Sequence, residues 1–197
     1  MMKMICFGDS NTYGYDACSA FGGRLPKEER WVDQVAKLSG WELVNEGLNG
    51  REIPRLWFLE RLDHILEANM PADLLFIMLG TNDILNGGYA DPARVVKTMD
   101  ALLDHLLTKS QFFTADQIVL ASPPRLVMAH MGAQEARMER TVTEIRPEYQ
   151  RLAKQYGTHF VDVGGWQIPL TPDGVHFTGG GHVMFSGKLW DELKNIK

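Results

Sequence analysis

Five short, mostly apolar runs recur along the chain: Met4–Phe7, Leu43–Asn45, Leu74–Leu79, Ile118–Ala121 and Phe160–Val163. They do not alternate polar with apolar residues, so each reads as a strand covered on both faces. Longer segments of helical spacing separate them. Trp31–Leu38 and Ile53–Ala68 are two, and Pro92–Leu107 is the clearest. In the last, Val95, Val96, Met99, Leu102, Leu103, Leu106 and Leu107 form one apolar stripe, and Pro92 suits a helix start. Ala133–Tyr156 has a helical pattern, but Pro147 is expected to break or kink it. Thr178 is placed to cap a final helix reaching about Leu193. Alternating strands and helices predict an α/β fold, a three-layer α/β/α arrangement around a parallel sheet of five strands. No repeat or linker divides the chain, so residues 1–197 are expected to form one domain.

In such sheets ligands bind beyond the carboxyl ends of the strands. The segments that fall there are Gly8–Gly14, Glu46–Arg51, Gly80–Asp83, Ser122–Arg125 and Gly164–His176. They are also the most unusual segments of the sequence.

Composition narrows the partners. The chain is 45% hydrophobic and 23% charged, with a formal net charge of -5 and no long run of one sign. That balance argues against nucleic acid or an anionic membrane as the main partner. Met1–Phe7 is too short for the apolar core of a secretory signal, and Leu74–Leu79 is too short to span a bilayer. Cys6 and Cys18 do not make a disulfide framework, and no Cys/His grouping has zinc-ligand spacing. A cytoplasmic protein with reduced thiols, no cofactor and no metal is the expectation.

Ser10 stands where the first strand ends and a turn begins, which holds it rigidly and exposes its hydroxyl. A serine becomes a nucleophile when a base takes its proton. His176 is the candidate base, and Asp173, three residues earlier, can orient its imidazole. The developing oxyanion needs donors. The Ser10 N–H, the Gly50 N–H and the Asn82 side chain are the candidates. Each segment also has a plain alternative as turn chemistry. Asp9 is expected to bond nearby backbone, and Asp83 and Asp162 to fix loops. His64, His105, His130, His159 and His182 read as surface or packing residues, with the loop of His130 a possible border of the pocket. Trp31 and Trp57 read as core or interface.

Taken in order, four of these segments resemble the blocks of the SGNH hydrolase superfamily, the GDSL esterases and lipases. They are Gly8-Asp9-Ser10, Gly47-Leu48-Asn49-Gly50, Gly80-Thr81-Asn82-Asp83 and Asp173-Gly174-Val175-His176. The resemblance implies a flavodoxin-like fold and metal-free ester hydrolysis through an acyl-enzyme. It also implies the roles: Ser10 as nucleophile, Asp173 and His176 completing the triad, and Ser10, Gly50 and Asn82 forming the oxyanion hole. Gly47 is the alternative to Gly50. Asn11 departs from the motif, which has leucine there.

Ile5–Ser10, Arg30-Trp31, Glu46-Gly47-Leu48, Ile77–Asp83, Ser122-Pro123-Pro124 and His176-Phe177-Thr178 are similar to the bacterial arylesterase/acyltransferase branch. That likeness implies small-molecule ester substrates with short acyl groups, of the aryl, alkyl or acetylated-carbohydrate kind. It also implies acyl transfer in some members and homo-oligomers in some. A lysophospholipase or thioesterase for longer chains is the alternative, and a non-catalytic binding module the remote one. The loops Tyr15–Glu29 and Pro124–Gln134 are expected to set substrate choice.

Overall fold

The computed structural model describes residues 1–87, 91–128 and 132–196. Five parallel strands form one sheet in the order β2-β1-β3-β4-β5. They are β1 (Lys3–Gly8), β2 (Glu42–Gly47), β3 (Leu74–Met78), β4 (Ile118–Ala121) and β5 (His159–Val161). This is the flavodoxin-like order, whose switch point lies between β1 and β3. The helices are α1 (Ser10–Tyr13), α2 (Trp31–Ser39), α3 (Trp57–Asn69), α4 (Thr81–Asn86), α5 (Pro92–His105), α6 (Ala133–Tyr156) and α7 (Gly179–Leu193). Among the described residues no helix is long and apolar enough to cross a membrane.

Strand residues alternate between two cores because successive side chains leave opposite faces. Ile5, Phe7, Leu75, Ile77, Ile118 and Leu120 pack with α3, α5 and α6 through Leu62, Leu66, Met99, Leu102, Ile145 and Tyr149. Met4, Cys6, Phe76, Met78, Val119 and Ala121 pack with α2 and α7 through Trp31, Val35, Phe185 and Leu189. Both-face burial therefore holds for β1, β3 and β4. It does not hold for β2 and β5, which are edge strands and mostly half-buried.

Several bounds shift by one or two residues, the last strand ending at Val161 rather than Val163, and three further differences from the sequence expectation have a physical reason. Helix α3 begins at Trp57, not Ile53. Pro54 disfavours helix at the residue before it, and the Ile53 N–H is drawn instead to Asp83 Oδ2 at 3.0 Å. Leu79 lies beyond the end of β3, and its carbonyl accepts from the Tyr149 hydroxyl at 3.2 Å. Helix α6 runs unbroken through Pro147. Pro147 and Thr143 are both on its exposed side, so the Thr143 carbonyl that loses its N–H partner lies on the side open to water.

Helices α2 and α7 are joined by His182, which is buried in α7. Its Nδ1 accepts the Trp31 N–H at 3.3 Å, one of the leading donors of α2. Burial pushes His182 down from its ordinary value to about 4. The unfolded chain therefore binds this proton more readily between pH 6.5 and 4. Its contribution is fully present above pH 6.5 and is lost as pH falls towards 4, by about 3 kcal/mol. Asp9 and Asp83 oppose it: burial raises each to about 6, so their contribution to stability falls as pH rises through that window. A difference measurement isolates His182. Urea unfolding of the parent and His182→Gln, which keeps an acceptor, is expected to show a stability gap about 3 kcal/mol smaller at pH 4.5 than at pH 7.5. A gap independent of pH would show that His182 is not the source.

Candidate active site

The register places the carboxyl ends of three strands level, with Gly8 opposite both Gly47 and Met78. From that line leave the segments carrying Ser10, Gly50 and Asn82. Asp9 caps α1, its Oδ1 accepting from the Asn11 N–H at 3.0 Å, and so sets Ser10 at the first helical position. Burial raises the Asp9 carboxyl to about 6, against the pull of that N–H. Asp9 is a turn-holding residue, as the sequence suggests.

The base arrives from the other end of the chain. Leu170 and Phe177 pair in an antiparallel bridge, and Asp173 and His176 lie in the loop between them. His176 Nε2 is 2.9 Å from Ser10 Oγ, a contact spanning 166 residues, and its Nδ1 is 2.6 Å from Asp173 Oδ2. The other carboxylate oxygen, Oδ1, accepts from the Thr171 hydroxyl at 2.7 Å, the Val175 N–H at 2.8 Å and the His176 N–H at 3.0 Å. Burial works against the charge of Asp173, but the His176 ring and these donors outweigh it and hold the carboxyl down at about 2. Asp173 is therefore ionised at neutral pH and rotationally fixed.

The two glycines of the second segment separate cleanly. A Cβ on Gly47 would lie 2.1 Å from the Tyr13 nitrogen, so this glycine exists to let β2 approach α1. Its N–H is already given to Asn45 Oδ1 at 3.0 Å. Gly50 is different. It sits at φ +72 in the turn closed by Arg51 N–H to Leu48 O, and its own N–H donates to no described group. Gly50, not Gly47, is the available donor. Ser10 N–H, at the first position of α1, has no intrahelical acceptor either. Asn82 gives one amide hydrogen to Arg51 O at 3.1 Å and keeps the other.

Arg51 ties these parts together. Its Nη1 donates to the carbonyls of Gly8, at 2.9 Å, and Glu46, and its guanidinium lies 4.0 Å from the Phe7 ring centroid. Burial lowers it to about 10, so it stays charged at neutral pH. Three further neighbours of the triad escape sequence reading. The Tyr15 ring lies tilted against the His176 ring with centroids 4.8 Å apart, Thr171 holds Asp173, and Asn11 bonds the backbone beside His176. The one local signal was Asn11, a departure from the motif.

Other expectations fare variously. Asp162 fixes its loop through paired bonds from Arg146 at 2.8 and 2.6 Å. Trp31 is core, whereas Trp57 is 69% exposed beside Phe58. His105 has a partner that spacing did not reveal, Asp63 at 3.0 Å, which Ser110 also engages. His130 lies outside the described residues, as do residues 129 and 131 of its loop.

A parallel sheet in this order, with a serine leaving β1 and a His/Asp pair returning from the C-terminal loop, is the plan of an SGNH-type hydrolase. The chain belongs to the GDSL-like lipase/acylhydrolase family, which it matches over residues 6–184. It is a carboxylic ester hydrolase. Two solved structures are similar over their whole length. One is a carbohydrate acetylesterase family member from Sinorhizobium meliloti, at 27% identity and TM-score 0.83, covering 100% of this chain and 99% of that one. The other is the native aryl esterase of M. smegmatis, at 28% identity and TM-score 0.83, covering 100% of both. Est24, a carbohydrate acetylesterase from Sinorhizobium meliloti, shares the fold at 24% identity and TM-score 0.85, covering 100% of both chains. Among curated proteins none matches the chain.

Proposed function

We propose that this protein is a serine esterase that removes short acyl groups from small aryl, alkyl or acetylated-carbohydrate esters through an acyl-enzyme. The observation that carries the proposal is the continuous line from Ser10 Oγ to His176 Nε2, and from His176 Nδ1 to Asp173. Ser10 attacks the ester carbonyl while His176 Nε2 takes its proton. Asp173 keeps the neutral ring protonated at Nδ1 and stabilises the imidazolium as it forms. The N–H groups of Ser10 and Gly50 and the second amide hydrogen of Asn82 receive the oxyanion. His176 then protonates the departing alcohol. Water, or a competing alcohol, takes the acyl group from Ser10 by the same route in reverse.

The short-acyl preference is supported by similarity to a carbohydrate acetylesterase family member, and the aryl-ester class by similarity to an aryl esterase. One observation favours the longer-chain alternative. A cavity of about 270 Å³ lies against Gly50, its wall mostly apolar through Phe7, Ile53, Phe58, Leu62 and Ile65, with Arg51, Glu52, Arg55 and Arg61 also lining it. It is lined by none of Ser10, His176 or Asn82.

A fluorophosphonate probe and a series of p-nitrophenyl esters test both points. The probe is expected to label Ser10, located by mass spectrometry of the digested protein, and kcat/KM is expected to peak at two to four carbons. Labelling absent from Ser10 in folded protein overturns the mechanism. A peak at eight carbons or longer would assign the enzyme to lysophospholipase- or thioesterase-like substrates.

A further inference from the structure

Residue 11 connects the two ends of the candidate site. Its side chain is buried, and it lies in α1 directly after Ser10. Oδ1 accepts the Phe177 N–H at 2.9 Å, and Nδ2 donates to Val175 O at 3.1 Å. Those backbone groups flank His176 on both sides. The loop's other bonds hold it to itself or to its outer neighbour: Thr171 N–H to His176 O at 2.8 Å, Asp173 within its own turn, and Val127 N–H to Gly174 O at 2.9 Å. Among the described residues, the only hydrogen bonds between α1 and this loop are those of Asn11 and the Ser10–His176 contact itself.

The requirement is chemically narrow. Val175 O can only accept and Phe177 N–H can only donate, so the side chain must present one donor and one acceptor on a forked end. Asparagine supplies both. Leucine, the motif's residue here, has the fork and neither function. Aspartate would set a carboxylate oxygen against the Val175 carbonyl. The backbone of Asn11 is fixed as well, its N–H by Asp9 at 3.0 Å and its carbonyl by the Trp31 indole at 3.0 Å. A rigidly mounted amide is thus bonded to both sides of the base.

We propose that Asn11 is a positioning residue that aims His176 Nε2 at Ser10 Oγ by holding the Val175 carbonyl and the Phe177 N–H. The proposal rests on the serine-esterase reading above. Misplacing a catalytic group by about 1 Å can cost ~10²-fold in rate, so a partial loss of aim is expected to be visible in kcat.

The test measures Asn11→Ala and Asn11→Leu beside Ser10→Ala, with p-nitrophenyl acetate as substrate and thermal unfolding as the check on folding. Folded Asn11 variants are expected to lose roughly 10- to 100-fold in kcat, with KM within about threefold of the parent. The rate of fluorophosphonate labelling at Ser10 should fall by a similar factor, because it needs the same proton transfer. A role in stability alone would lower the unfolding midpoint and leave kcat and labelling at parental values, which overturns the proposal. Failure of both Asn11 variants to fold also overturns it, since Asn11 would then serve the whole fold. If Asn11→Leu alone fails to fold, Asn11→Ala decides. Lost turnover in Ser10→Ala with parental kcat in Asn11→Ala removes the Asn11 role only. Retained turnover in Ser10→Ala removes both readings.

Discussion

Ser10→Ala is expected to turn over p-nitrophenyl acetate roughly 10⁴- to 10⁶-fold more slowly than the parent, the range seen when a nucleophile is deleted from a working triad. The methyl group leaves His176 Nε2 without the hydroxyl now 2.9 Å away and leaves the ester without an attacking atom. The oxyanion donors survive, because the residue 10 N–H, Gly50 and Asn82 do not depend on the hydroxyl, so a small residual rate is expected. Folding should be little affected. Ser10 is 7% exposed, and its hydroxyl's one side-chain partner is a half-buried histidine. Steady-state kinetics with thermal unfolding checks the point. Turnover within tenfold of the parent in folded Ser10→Ala would end the triad reading.

Asp173→Asn is expected to cost about 10⁴-fold in kcat, nearly as much, though it changes one atom. The reason lies in the three bonds to Oδ1. Thr171, Val175 and the His176 N–H all donate there, so an asparagine must keep its carbonyl oxygen on that side. Its NH₂ then faces His176 Nδ1. The ring can accept that hydrogen only with Nδ1 unprotonated, which moves the proton to Nε2 and aims a donor at Ser10. A base becomes unable to take the serine's proton. The same substitution also alters acid stability. Asp173 is held at about 2, below its ordinary value, so its stabilising effect is present above the ordinary carboxylate range and is lost as pH falls towards 2. The half-exposed carboxylate makes that contribution modest. A stopped assay over pH 6–9 should find the loss at every pH. Turnover within tenfold of the parent across that range would mean that the tautomer does not depend on Asp173.

The central strands were readable because burial on both faces leaves no polar position to confuse the pattern. Met4–Phe7 and Leu74–Met78 lie wholly inside two cores. Helical spacing continues back through Pro54, so the pattern places the start of α3 too early. Pro147 reads as a break although α6 runs through it, because the pattern does not show which side of the helix meets water. The site divides the same way. That Ser10, His176 and Asp173 would meet could be read because strand ends and motif order mark them. Arg51, Tyr15 and Asn11 could not, since their bonds and contacts join segments whose closeness only the folded chain creates. That Gly47 serves the approach of β2 to α1 likewise needed a three-dimensional fact, the passage of α1 within 2.1 Å of where a Gly47 side chain would begin.

The order of the parts along the chain has a consequence for biosynthesis. All five strands lie within the first 161 residues, whereas Asp173 and His176 come after the last of them. Domains generally fold as units. Helix α7 supplies Phe185, Leu189 and Leu193 to the core on one face of the sheet, so that face is covered only once the last stretch has been made. Only the final segment brings His176 across 166 residues to the serine and seals α7 against α2. On the serine-esterase reading, a chain ending before Asp173 is expected to be inert, since it lacks both the base and the helix that covers one face of its sheet.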